Sequence, residues 1–197
     1  MYLDISSNQG VIDWKELSKY DDINGIILRA TTRNGKLDTR TTENYESILH
    51  NMSDIDEISV YKFSYARDYV SAKVECMQCL KALQDAKINF DYFYLDLEGF
   101  DGRDYTRAES DAVIMAYVDF FATWFNKYSQ LRLYFNYNYL KNIINPLWRD
   151  IPIWLARYNS EMGDTFGANV VLWQYTSLGQ FDGIKTHVDI SKEVKSV

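Results

Sequence analysis

The chain has 197 residues, of which 47% are apolar, 16% aromatic and 25% charged. This composition predicts one globular domain over residues 1–197 and excludes a disordered chain. The net charge of −7 disfavours binding to nucleic-acid phosphates. The sequence contains no run of about 20 apolar residues, the length that a membrane-spanning helix requires.

Apolar runs alternate with amphipathic stretches along the whole chain. Strands are predicted, in order, at 2–5, 25–30, 58–63, 92–97, 131–136, 153–157, 170–176 and 188–190. Helices are predicted between the first five strands, at 13–20, 42–51, 70–86 and 107–128. Asp13 is the predicted N-cap of the first helix, and Trp124 and Phe125 lie on the apolar face of the last.

The alternation of strands and helices predicts parallel strands joined by crossover helices. An open doubly wound sheet is one solution. A closed barrel is favoured because acidic residues end strands that are far apart in the chain, and closure makes the first and last strands neighbours. We therefore predict an irregular α/β barrel of the TIM type, with about eight strands and with helices shortened or missing in the last third.

Two carboxylates, Asp96 and Glu98, end the fourth predicted strand. Side chains alternate along a strand, so both point to one face, about 7 Å apart. Burying an unpaired carboxylate costs several kcal/mol, and crowding raises the pKa of one member of such a pair. Glycoside cleavage uses this arrangement, with one protonated acid and one anion. The alternative is a structural pair bonded to arginine or to backbone amides.

Two more acids lie in the first and last strands. Asp4 and Asp189 both have apolar neighbours in the sequence, as an inward position would require. In a closed barrel they would meet Asp96 and Glu98 at one mouth. Four acids without four matching bases are hard to explain as a set of structural salt bridges. If the acids do form such salt bridges, Arg29 and Arg157 are the best candidate partners.

Aromatic side chains lie near the same strand ends, and aromatic planes suit the apolar faces of sugar rings. Core packing is the alternative role. The predicted substrate-binding aromatics are Tyr61, Phe63, Tyr134, Trp154 and Tyr158.

Motifs for other chemistries are missing from the sequence. It contains no nucleophile elbow, P-loop, dinucleotide-binding loop or zinc-protease motif. His187 and Asp189 offer only two metal ligands, and the Cys76–Cys79 pair falls inside a predicted helix, where packing is the expected role. We expect no metal and no cofactor.

With these residues in place, the whole chain resembles glycoside hydrolase family 25, the lysozymes of the Chalaropsis type. The matching segments follow the family's order: Asp4-Ile-Ser-Ser-Asn-Gln-Gly with Ile12-Asp-Trp, Tyr94-Leu-Asp-Leu-Glu, Ile153-Trp-Leu-Ala-Arg-Tyr, Leu172-Trp-Gln-Tyr-Thr, Gly183-Ile and Val188-Asp. The resemblance implies an irregular barrel that cuts the β-1,4 bond between N-acetylmuramic acid and N-acetylglucosamine. The chain departs from the family at Lys62, where histidine is expected, and at Phe135, where threonine is usual.

The resemblance also implies a role for each acid. Glu98 matches the general acid, and Asp96 matches the carboxylate that orients the 2-acetamido group or stabilises the charged intermediate. Asp4 and Asp189 match the two remaining active-site acids. Tyr61, Tyr134 and Trp154 match substrate-lining residues more loosely, and Gln174 is counted with them as substrate-binding.

The sequence thus predicts a muramidase that retains anomeric configuration with help from the substrate's acetamido group. One alternative is a chitinase-like family 18 hydrolase, whose D-x-x-D-x-D-x-E signature fits at Asp91, Asp96 and Glu98 but has Tyr94 in place of an aspartate. Another is a non-catalytic barrel that binds the cell wall.

The expected partners are the glycan strands of peptidoglycan, with no nucleic acid and no membrane, and the expected state is a monomer. The first residues lack the basic and apolar segments of a signal peptide. We expect the protein to act at the bacterial cell wall, after secretion or release by a phage.

Overall fold

The computed structural model describes residues 1–123 and 127–194. Eight strands close a barrel in which each strand pairs with the next in the sequence and the last pairs with the first. They are β1 (Tyr2–Ile5), β2 (Gly25–Arg29), β3 (Glu57–Phe63), β4 (Phe93–Asp96), β5 (Leu131–Asn136), β6 (Ile153–Ala156), β7 (Val170–Gly179) and β8 (Val188–Glu193). The predicted closed, eight-stranded barrel is confirmed.

Helices cover only part of the barrel. They are α1 (Trp14–Leu17), α2 (Thr41–Asn51), α3 (Tyr69–Asp85), α4 (Arg107–Thr123) and α5 (Tyr137–Asn142). None of them follows β6, β7 or β8 within the described residues, so the predicted loss of helices in the last third is confirmed. Trp124 and Phe125, predicted on the apolar face of α4, lie outside the described residues.

The ends of these helices follow from local chemistry. The side chain of Asp13 accepts a hydrogen bond from the Glu16 amide at 3.1 Å and caps α1, as predicted. Asp68 caps α3 by accepting from the amides of Val70 and Ser71. No helix in the described part of the chain has the length and apolar character needed to cross a membrane.

The parallel pairing predicted for strands joined by crossover helices does not extend to β8. This strand runs antiparallel to both β7 and β1, whereas the other neighbouring pairs are parallel. Between Gly179 and Val188 the chain has no helix and turns straight back, and a direct return produces antiparallel pairing. In that register Asp189 lies opposite Asp4.

Apolar and aromatic side chains fill the barrel interior below its mouth. The buried members of this interior cluster are Tyr2, Ile27, Tyr94, Tyr134, Trp154, Ala156 and Leu172. The outward side chains of the strands pack with the helices in a second, larger core. The barrel is therefore a packed body rather than a pore, and any site must lie at its mouth.

Outside the barrel, β3 and α3 are joined by a buried ion pair. Lys62 is fully buried on the outward side of β3, and its Nζ lies 3.4 Å from the Glu75 carboxylate on α3. Glu75 also accepts from the Ser64 hydroxyl at 2.7 Å and from the Tyr65 amide at 2.9 Å. Lys62, the departure from the family's histidine, thus serves the packing of α3 and the segment after β3.

One hydrogen bond spans the barrel interior from β6 to β8. The indole nitrogen of buried Trp154 donates to the Ser191 hydroxyl at 2.8 Å. Ser191→Ala leaves this buried N–H without a partner, so we expect a loss of about 1–3 kcal/mol in the free energy of unfolding. Denaturant unfolding measures the loss, with Ser160→Ala at an exposed loop position as the control. Equal stability of the two variants would contradict a structural role for this bond.

Candidate active site

Three strands bring four acids to the mouth of the barrel. Asp4 on β1 and Asp189 on β8 are cross-strand partners. Asp96 is the last residue of β4, and Glu98 follows two positions later. We call Asp4, Asp96, Glu98 and Asp189 the acid cluster.

The acids of the cluster act on one another electrostatically. Burial raises the pKa of Asp96, and the charges of Glu98 and Asp4 raise it further. Burial also raises the pKa of Asp4 well above its ordinary value, with additional contributions from Asp189 and Glu98. Such mutual repulsion requires the carboxylates to share a small, poorly solvated space.

Glu98 titrates in the same direction. Burial is the largest cause of its raised pKa; a hydrogen bond from Tyr134 would oppose the rise, and the charge of Asp189 adds to it. Burial likewise raises the pKa of Asp189, and a hydrogen bond from the Tyr158 hydroxyl would oppose that rise. Burial and mutual repulsion therefore favour a state in which part of the cluster is protonated and part is ionised, at pH values where exposed carboxyls are all ionised.

The structure places no basic partner against these acids. In the part of the chain that it describes, no ion pair involves any member of the acid cluster. The charge of Lys62, which pairs with Glu75, lowers the pKa of Asp96, and the charge of Arg29 lowers the pKa of Asp96 and of Asp4; neither base forms an ion pair with these acids. Arg157 instead donates to the Met162 carbonyl at 2.9 Å and lies 4.1 Å from the centre of the Tyr137 ring. A structural salt-bridge set does not account for the cluster.

Asp96 has a further unusual feature. The residue is only 5% exposed, and its Oδ1 atom is buried with no hydrogen-bond partner among the described residues. A buried acceptor without a partner is costly and is typical of functional positions.

Glu98 and Asn136 both line two neighbouring cavities. One has a volume of about 400 Å³ and is lined by Glu98, Gly99, Gly102, Arg103, Asp104 and Asn136. The other, of about 350 Å³, is lined by Glu98, Tyr134, Asn136, Tyr137, Asn138, Ala156, Arg157 and Tyr158. Both volumes fall within the range of small-molecule sites. A larger concavity, about 700 Å³, lies between α1, α2 and the β7–β8 connection and contains none of the four acids.

Four of the predicted aromatic residues lie around the acid cluster. Tyr61 is partly buried beside Asp4, and a hydrogen bond from its hydroxyl lowers the pKa of that acid. Phe63, which pairs with Asp96 across β3 and β4, stacks on Tyr65 with ring centres 4.8 Å apart. Tyr134 lines the second cavity with Tyr158, which is 56% exposed.

The other two predicted substrate-binding residues lie deeper. Trp154 is 1% exposed and Gln174 is fully buried, so neither presents its side chain at the surface of the mouth. The Trp154 ring packs 4.4 Å from the Tyr134 ring, measured between centres. Gln174 accepts hydrogen bonds from Tyr134 and Tyr158 at 3.0 and 2.9 Å. We therefore assign both residues to the support beneath the site, because strand register sets their depth in the barrel.

Three residues that border Glu98 were not predicted from the sequence as site residues. Arg103 and Asp104 belong to the connection between β4 and α4, and Asn136 ends β5. Their positions at or after the ends of β4 and β5 could have identified them, since active sites of barrels are built from the residues that follow the strands.

The described residues offer no metal site, since no three His, Cys, Asp or Glu side chains among residues 1–123 and 127–194 are placed to hold an ion. Cys76 and Cys79 are buried on α3 and free.

Comparisons with known proteins agree with this architecture. The modular autolysin LytC from Streptococcus pneumoniae is 23% identical, with a TM-score of 0.84 over 96% of this chain and 45% of LytC. LytC has also been solved in complex with a synthetic peptidoglycan ligand. The spore cortex lytic enzyme SleM from Clostridium perfringens is 22% identical, with a TM-score of 0.82 over 99% of this chain and 67% of SleM.

A family 25 glycosyl hydrolase from Bacillus anthracis is 18% identical, with a TM-score of 0.78 over 98% of this chain and 88% of that protein. This chain thus spans less than half of LytC and most of the Bacillus protein. A search of curated proteins found no match. The model of glycosyl hydrolases family 25 matches residues 3–184, nearly the whole barrel, and the chain therefore belongs to this family and is a glycoside hydrolase.

Proposed function

We propose that the protein is a muramidase, which hydrolyses the β-1,4 bond between N-acetylmuramic acid and N-acetylglucosamine in bacterial peptidoglycan. The observation that carries the proposal is the acid cluster, in which four carboxyl groups on or just after β1, β4 and β8 lie at one mouth and form no ion pair within the described part of the chain. LytC is an autolysin and SleM is a spore cortex lytic enzyme, which supports the same substrate class. The cell wall is then the place of action.

Glu98 serves as the general acid. Its raised pKa, caused first by burial, keeps it protonated where an exposed glutamate would be ionised. The acid donates its proton to the glycosidic oxygen as the bond to C1 of the muramic acid residue breaks. The leaving N-acetylglucosamine departs as the neutral alcohol, and Glu98 is left as a carboxylate.

The substrate's own acetamido oxygen supplies the nucleophile. It attacks C1 as the leaving group departs, and the resulting oxazolinium ion carries the positive charge. Asp96, which is buried with one unpartnered oxygen, accepts a hydrogen bond from the acetamido N–H and stabilises the positive charge of the oxazolinium ion. Water then attacks C1 on the face that the leaving group vacated, Glu98 takes the water proton, and configuration is retained.

Asp4 and Asp189 contribute negative potential at the mouth. The charge of Asp189 raises the pKa of Glu98 and so favours its protonated form, and the charge of Asp4 raises the pKa of Asp96. They also favour the cationic transition state of glycoside cleavage. The family match removes the family 18 alternative, whose signature the chain fits only in part. A barrel that binds the wall without cutting it is separated from a muramidase by assaying bond cleavage.

Glu98→Gln replaces the proton donor by an amide of the same shape. We expect turnover to fall about 10²- to 10⁴-fold with an unchanged fold, measured as reducing ends released from purified peptidoglycan. Mass analysis of the wild-type fragments should identify muramic acid at the new reducing end. Glu46→Gln on the exposed face of α2 is the matched control. Undiminished release by Glu98→Gln would remove Glu98 from the mechanism, and binding without release by the wild type would indicate the non-catalytic barrel.

The stereochemical course tests the role of the acetamido group. We expect the β-anomer to appear first when a defined wall fragment is cleaved and followed by proton NMR. We also expect glycans whose muramic acid residues carry a free 2-amine to resist cleavage, because the nucleophile is missing. An inverted first product, or normal cleavage of the deacetylated glycan, excludes acetamido participation while leaving Glu98 as the acid.

Crowded acids at an active site cost stability. Burial and like charges raise the pKa of Asp4 in the folded state above its ordinary value of 3.8, so ionisation of Asp4 disfavours folding as pH rises through the raised pKa. Asp4→Asn should stabilise the protein at pH 7 by about 0.5–2 kcal/mol, and the gain should vanish below about pH 4. Denaturant unfolding at both pH values measures it, with exposed Asp21→Asn as the control. A gain that persists at low pH would contradict the electrostatic cause.

A further inference from the structure

Gln174 makes two hydrogen bonds whose direction has consequences for Glu98. Its Oε1 accepts from the Tyr134 hydroxyl at 3.0 Å and from the Tyr158 hydroxyl at 2.9 Å. Gln174 is fully buried and lies beneath the two tyrosines. Its Nε2 is buried without a partner among the described residues, so the two hydroxyls are the contacts that set the orientation of the amide.

Each tyrosine hydroxyl has one proton and more than one neighbouring acceptor. Tyr134, Tyr158 and Glu98 line one cavity, and a hydrogen bond donated by Tyr134 would lower the pKa of Glu98, as one from Tyr158 would lower that of Asp189. The two hydroxyls also interact with each other. A hydroxyl proton that is donated to Gln174 is not available to a carboxylate. The tyrosine oxygen then presents only lone pairs to the acid, and a hydrogen bond forms only if the carboxyl group brings its own proton.

We propose that Gln174 is a positioning residue that withholds the hydroxyl protons of Tyr134 and Tyr158 from Glu98 and Asp189, and so holds Glu98 in the protonated form that proton donation requires. The inference rests on the proposed function of Glu98 and extends it to a buried amide that does not reach the mouth. Gln174 acts through the two tyrosines and not on the substrate.

Other groups also act on Glu98 and must be kept constant in a test. The ionisable groups that interact with Glu98 belong to five different segments of the chain. They are Asp4, Asp96, Asp189, Tyr134 and Tyr158. Arg103, Asp104 and Arg157 line the cavities beside it. Arg29 on β2 acts on Asp4 and Asp96, Lys62 on β3 acts on Asp96, and Tyr61 on β3 interacts with Asp4 and Asp96. A neutral substitution at Gln174 removes none of these charged or titratable groups, and it changes directly only the hydrogen bonds of Tyr134 and Tyr158.

Gln174→Met keeps the length of the side chain but can neither accept nor donate a strong hydrogen bond. The freed Tyr134 proton then stabilises the Glu98 carboxylate, so the pKa of Glu98 should fall by about one unit, a tenfold change in its proton-dissociation constant. Carbon-13 NMR titration of the Glu98 carboxyl group in the whole protein measures this without requiring turnover. The high-pH limb of kcat/KM should move down by the same amount.

Two comparisons separate this role from simple packing. In a Tyr134→Phe background, Gln174→Met should no longer shift the pKa of Glu98, because the hydroxyl that carries the effect is absent. Gln84→Met on the exposed face of α3 should leave the titration unchanged. A packing role would lower kcat without moving the pH limb.

The opposite amide orientation makes the opposite prediction. If Gln174 donates to the two tyrosine oxygens, the hydroxyls already donate to the carboxylates, and Gln174→Met leaves the pKa of Glu98 unchanged or raises it. Either result would overturn the inference. Gln174→Leu replaces the methionine variant if that variant does not fold. The single variant Tyr134→Phe gives an independent test, in which the pKa of Glu98 is compared with that of the wild type. A lower pKa supports the inference, and a higher one contradicts it.

The outcomes also distinguish this inference from the proposed function. Suppose that Gln174→Met shifts the Glu98 titration but the wild-type protein releases no reducing ends from peptidoglycan. That result contradicts the muramidase proposal and supports the role of Gln174. A protein that cleaves peptidoglycan with an unshifted Glu98 titration in Gln174→Met contradicts only the role of Gln174.

Discussion

Closure of the barrel by an antiparallel last strand is the constraint on which the site depends. The short return from β7 places β8 against β1, and the resulting register sets Asp189 opposite Asp4. Strand alternation at the end of β4 adds Asp96 and Glu98 at the same mouth. Four carboxyl groups are thereby held together at the mouth, where burial raises the pKa of each and the charges of neighbouring acids raise those of Asp4, Asp96 and Glu98 further.

The support beneath the acids is rigid and largely aromatic. Trp154 packs against Tyr94 and Tyr134, with ring centres 5.2 and 4.4 Å apart, and its indole nitrogen is tied to Ser191 on β8. This floor excludes water from below, so charges at the mouth interact through a medium less polar than bulk solvent.

The departures from the family pattern lie at different depths. Lys62 points away from the barrel and pairs with Glu75 on α3, so the residue that replaces the expected histidine contacts a helix, and only its charge acts on the acid cluster, by lowering the pKa of Asp96. Phe135 likewise lies fully buried in the outer core, whereas its neighbours Tyr134 and Asn136 face the cavities beside Glu98. Alternation along the strand explains why such substitutions leave the mouth intact.

Local pattern determined much about this protein. Period-two spacing placed Asp96 and Glu98 on one face, apolar runs marked the eight strands, and Asp13 marked the start of α1, because each depends on neighbours within a few residues. Only the tertiary structure decided that β8 runs antiparallel, that Trp154 and Gln174 lie beneath the site, and that Arg29 and Arg157 do not pair with the acids. Strand direction, depth and charge pairing depend on contacts between segments far apart in the chain, which no local pattern records.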